Sequence, residues 1–104
     1  PEQRCHRSAV RVNIRPQYKP DMPEVEADAL ELFDANLPIN VTPDELDRYD
    51  KNAHRVWAYL NEAWVHVGFV DRRSAASLAK FDIKRQSARV TGNACATVVV
   101  RAKA

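Results

Sequence analysis

Asp50 and His54 stand four residues apart, a spacing at which a carboxylate on a helix can orient an imidazole and raise its pKa. A general base needs such an orienter. No serine or cysteine is set beside the pair, so it lacks a nucleophile. His66 is expected on the polar face of the same helix, solvated. Cys5, His6 and Cys95 are the soft and imidazole donors, but neighbours on a strand point to opposite faces. No CxxC or HxxxH spacing accompanies them. The Pro1 amine could serve as a base, yet the stretch that follows it, PEQRCHR, is polar. Gly68 and Gly92 are the only glycines, which excludes the Gly-rich loops that cradle phosphates. No catalytic residue, metal or cofactor is expected, and a non-enzymatic protein is the reading that follows.

The chemistry that remains is electrostatic. The stretch DRRSAASLAKFDIKRQSARV carries Arg72, Arg73, Lys80, Lys84, Arg85 and Arg89, with Ser74, Gln86 and Ser87 between them. Basic side chains interleaved with hydroxyls and amides suit contact with phosphate oxygens. A second row, Arg7, Arg11 and Arg15, recurs every fourth residue near the N-terminus. These residues point to a nucleic-acid-binding module that contacts phosphates through Arg7, Arg11, Arg15, Arg72, Arg73, Lys84, Arg85 and Arg89.

Charge is segregated along the chain. Residues 1–19 hold five basic side chains against Glu2, and residues 51–104 hold ten against three acidic ones. Between them, residues 20–50 hold ten acidic side chains against Arg48 alone. The net charge of +2 conceals this pattern. Kept apart by the fold, the blocks would form a dipolar surface. The alternative function is therefore a protein-interaction or assembly subunit that docks through its acidic and basic surfaces, with another protein or a second copy as partner.

The elements that must position these groups are read from periodicity. SAVRVNIR, residues 8–15, alternates cleanly: Val10, Val12 and Ile14 on one face, Arg11, Asn13 and Arg15 on the other. That is a half-buried strand, ended by Pro16. PQYKPDMP is a stiff connector, and Val25, Ala29, Leu32 and Phe33 make the apolar stripe of a helix over 24–34. LPINV could add a strandlet. TPDE at 42–45 has the form of a capping box. From it Leu46, Tyr49, Ala53, Val56, Leu60, Ala63 and Val67 recur at spacings of three and four, predicting a long helix over 43–67. Trp57 and Trp64 would lie beside that seam as core, and Gly68 would end it. SAASLAKF is a short helix capped by Ser74 or Asp71. Residues 82–90 are ambiguous. Thr91-Gly92-Asn93 is a turn, and CATVVVRA at 95–102 is a central strand.

The resulting expectation is one α+β domain spanning 1–104. A small antiparallel sheet, made of the N-terminal strand and a hairpin over 82–102, packs against one long helix and two shorter ones. Its core would hold Val10, Val12, Ile14, Leu32, Phe33, Leu46, Val56, Trp57, Leu60, Trp64, Val67, Leu78, Val98 and Val100. The alternative is a winged helix-turn-helix, since SLAKFDIKRQSARV can be read as helix, tight turn and polar second helix. A hydrophobic share of 45% and a charged share of 29% are those of a folded protein. No apolar stretch could form a membrane span or a leader, so a cytoplasmic protein with reduced thiols is expected.

Overall fold

The computed structural model describes residues 7–15, 25–27, 37–44, 51–92 and 94–103. Along the chain these residues form β1 (Arg7–Arg15), β2 (Pro38–Pro43), β3 (His54–Leu60), β4 (Ala63–Val70), α1 (Arg72–Leu78), β5 (Phe81–Gly92) and β6 (Cys95–Ala102). The strands close into an antiparallel barrel in the order β1-β4-β3-β2-β5-β6. Closure is made by β1, which pairs with β6 from Arg7↔Arg101 to Asn13↔Cys95 and with β4 at Ile14↔Val70 and Arg15↔Phe69.

The α+β expectation is overturned, and with it the winged helix-turn-helix. Of the long helix over 43–67, the described residues instead form the end of β2 at Pro43 and the β3–β4 hairpin, while residues 45–50 lie outside them. HRVWAYL and AWVHVGFV are dense in β-branched and aromatic residues, which suit a pleated surface. His54, Val56 and Ala58 alternate inward while Arg55, Trp57 and Tyr59 alternate outward. Asn61 and Glu62 connect the two strands with φ of 50° and 65°, the left-handed pair of a tight hairpin turn. Gly68 ends no helix; it lies within β4. Residues 82–90, the second helix of the alternative fold, belong to β5, which ladders with β6 and, at Ala88 and Arg89, with β2 as well. In the closed barrel β5 lies between β2 and β6 and is no edge strand. The helix expected over 24–34 falls mostly outside the described residues, as do Leu32, Phe33 and Leu46.

The barrel interior is filled by small branched and short side chains, as a barrel of few strands requires. Val12, Val56, Ala58, Ala96, Val98 and Val100 are fully buried there. Ala75 and Leu78 of α1 join the same cluster. The helix connects β4 to β5, which are not neighbours in the ring, and packs on β1 and β5. It thus caps the barrel core rather than lying beside a sheet. Burying Leu78 alone contributes ~2 kcal/mol. Neither tryptophan is core: Trp57 is half-buried on the outer face and Trp64 is exposed. Among the described residues no helix is long and apolar enough to cross a membrane.

Candidate nucleic-acid interface

Because side chains alternate along a strand, the pairing registers fix which residues share the outer wall. Across β1, β6 and β5 one outward row reads Arg11, Thr97, Arg89. Two residues along lies Ala9, Val99, Ser87, and two further lies Arg101, Asp82. Arg11 and Arg89 are exposed, and Arg101 is half-exposed. Among the described residues of these three rows, Asp82 is the single acid.

A break in register sharpens this wall. Between Asp82 and Ser87 the β5–β6 ladder is interrupted, and Lys84 and Arg85 are exposed in the interruption. Such irregularities re-aim side chains. Here the result is a shallow cleft of about 360 Å³ lined by Arg85, Gln86, Ser87, Val99 and Arg101. Gln86 holds the irregular segment in place. Its side-chain oxygen accepts from the Val41 N–H at 2.7 Å, and its amide donates to the Val41 carbonyl at 2.8 Å and the Ile83 carbonyl at 2.6 Å.

The other expected cations flank β1. The Asp71 N–H donates to the Asn13 carbonyl, and the Asn13 N–H donates to the Asp71 carboxylate at 3.1 Å. Ser74 Oγ donates to the Arg11 carbonyl at 3.2 Å. These bonds lay the first turn of α1, with exposed Arg72 and Arg73, along the free side of β1 beside Arg11. Asp71 caps that turn. Burial pushes its carboxyl up, but bonds from Ser74 and Asn13 and the nearby Arg15 outweigh this and hold it below its usual value. Arg15 is thus shared with an acid, whereas Arg11, Arg85, Arg89 and Arg101 make no ion pair with another described residue.

The histidines have other roles than those expected. His54 lies in β3, nearly buried, and its Nδ1–H donates to the Asn52 carbonyl. Asp50 lies outside the described residues. His54 lines an open cleft of about 560 Å³ together with Lys51, Lys84 and Lys103. No serine, threonine or cysteine is among the described lining residues. His66 is not solvated but fully buried, between the rings of Trp57 and Phe69 at 5.2 and 5.0 Å. Its Nε2–H donates to the Gly68 carbonyl, and its backbone N–H donates to the Glu26 carboxylate. Glu26 is thereby occupied in holding its own segment to β4. Asp44 is buried, so both described members of this part of the acidic block are committed within the fold. No group of His, Cys, Asp and Glu suited to a metal occurs among the described residues, and Cys5 and His6 lie outside them.

No family model, curated protein or solved structure matches this chain. The site must therefore be read from its own geometry. Arg101 is the residue that sequence reading missed, because CATVVVRA is apolar enough to pass for a strand buried on both faces. The alternation Thr97, Val99, Arg101 is the signal that could have found it.

Proposed function

We propose that this chain is a nucleic-acid-binding module whose outer wall of β1, β6 and β5 receives the sugar–phosphate backbone. The observation that carries the reading is the convergence of Arg11, Arg85, Arg89 and Arg101 on one wall, where Arg85 and Arg101 line a cleft together with Ser87. Guanidinium groups grip phosphate oxygens in a two-pronged fashion, and a neighbouring hydroxyl can add a further bond. Strands hold their side chains at fixed spacing, about 4.8 Å between neighbours and about 6.8 Å between like-facing residues along one strand. Such a wall can meet a repeating anion. Arg72 and Arg73 extend the positive field beyond β1 and favour encounter more than register.

The reading is tested by charge reversal at fixed salt. Arg89→Glu combined with Arg101→Glu is expected to abolish binding of a labelled oligonucleotide in fluorescence anisotropy, with the thermal midpoint little changed, because both residues lie on the outer wall. Unchanged binding by the double variant would refute the assignment of this wall.

A further inference from the structure

Outside the basic wall stands an exposed aromatic pair. Tyr59 and Trp64 face each other across the β3–β4 hairpin beside its turn, with ring centroids 5.3 Å apart and planes at 62°. They are 41% and 48% exposed, the two large hydrophobic side chains so displayed among the described residues. Phe69 and His66 on the same hairpin are covered; this pair is not.

The register joins the pair to the cations. Ile39 of β2 is laddered to Ala58 on one side and to Ala88 on the other, and all three point inward. The next residues, Tyr59 and Arg89, therefore point outward on either side of Pro38, which is itself exposed and paired with Arg89. Two strand spacings put the Tyr59 and Arg89 backbones about 10 Å apart. A single outward row thus runs Arg11, Thr97, Arg89, Pro38, Tyr59, Trp64, taking one residue from each strand.

We infer that the ligand of this protein is a single-stranded nucleic acid, gripped at its phosphates by Arg11 and Arg89 and stacked through at least one base on Tyr59 and Trp64. The inference rests on the nucleic-acid reading above and narrows it. Two features favour a single strand. The row curves round a closed barrel, so its cationic and aromatic ends face different directions. A duplex is stiff over a length of about 150 base pairs and meets such a surface along one line only, whereas a single strand can follow the curve. A paired base also hides its faces in the stack, and aromatic side chains beside a basic groove are the means by which unpaired bases are held. Proline at the middle of the row is apolar and leaves no charge between the two ends.

The experiment measures anisotropy of a labelled oligothymidylate of twelve nucleotides and of a mixed-sequence duplex of equal length. Native protein, Tyr59→Ala, Trp64→Ala, Trp64→Phe and the Arg89→Glu/Arg101→Glu double variant are compared. Trp64→Ala and Tyr59→Ala are each expected to weaken the single strand about tenfold and leave its salt dependence unchanged. Trp64→Phe should recover most of the loss, which a merely structural defect would not reproduce. Native protein should prefer the single strand. With Trp57→Phe, Trp64 is the one remaining tryptophan, and its fluorescence should be quenched by the single strand. Binding that ignores both aromatic substitutions, or that favours the duplex, would overturn this inference and leave the basic wall standing. Absence of binding to either oligonucleotide would overturn both.

Discussion

Gln86 pairs with the backbone of Val41 as a strand residue would, accepting its N–H at 2.7 Å and donating to its carbonyl at 2.8 Å. Direct laddering of β2 with β5 is registered at Pro38↔Arg89 and Ile39↔Ala88, so the side chain carries the pairing onward where the β5 backbone departs. The barrel wall stays closed while Arg85 is released to the surface. One amide therefore links the fold to the cleft.

Replacing Gln86 by leucine keeps its bulk and removes both bonds to Val41 and the one to the Ile83 carbonyl. The Val41 N–H and carbonyl would be left without these partners in a half-buried setting, at a cost of ~1–3 kcal/mol. Chemical denaturation should report that loss. Oligonucleotide binding should weaken as well, since Arg85 and Ser87 lose their frame. A variant as stable as the native protein would show that β5 needs no such bridge.

At Gly68 β4 passes close against β1. A Cβ there would stand 2.6 Å from the Arg15 carbonyl oxygen and 2.6 Å from the Ile14 side chain, and φ is 156°. The β1–β4 seam is short, with partners Ile14↔Val70 and Arg15↔Phe69. Gly68→Ala should push the seam apart and cost ~1–3 kcal/mol. Faster hydrogen exchange at residues 14, 15, 69 and 70 would locate the damage, and unaltered exchange would count against this close approach.

Asp71 gives the fold a pH dependence. Its folded carboxyl titrates below its unfolded value of about 3.9. A depressed carboxylate contributes stability that is fully present above the unfolded value and lost as pH falls through the folded one. Asn retains the cap but not the charge. The stability gap between native protein and Asp71→Asn should therefore be widest above about pH 5 and close towards pH 2. Melting temperatures over that range measure it, and a gap independent of pH would show that the charge contributes nothing.

Part of this architecture was legible in the residues. The alternation of SAVRVNIR gives β1 and its outward arginines, and a break between β5 and β6 was expected close to where it falls, although Thr91 and Gly92 belong to β5 and Asn93 lies outside the described residues. The β3–β4 hairpin was not legible, because Val56, Leu60, Ala63 and Val67 satisfy a helical spacing by accident across a turn with neither glycine nor proline. Asn61 and Glu62 adopt left-handed φ all the same. Thr42 also has another use than a helix cap: its Oγ1 accepts from Trp57 Nε1 at 2.9 Å. Barrel closure depends on partners more than fifty residues apart, such as Ile14↔Val70 and Val10↔Val98, and local pattern carries no record of them. Of the expected basic residues, Arg11 and Arg89 share a row that neither strand alone reveals.

The proposed role of the β1–β6–β5 wall is to bind nucleic acid through its arginines. The most direct measurement is the affinity for the labelled twelve-nucleotide single strand between low and physiological salt, for native protein and for Arg89→Glu/Arg101→Glu. The account predicts a log–log slope steeper than about −2 for the native protein and a marked flattening for the variant, since each phosphate contact contributes about −0.7 on a single strand. Affinity insensitive to salt, or a slope the variant shares, would contradict it.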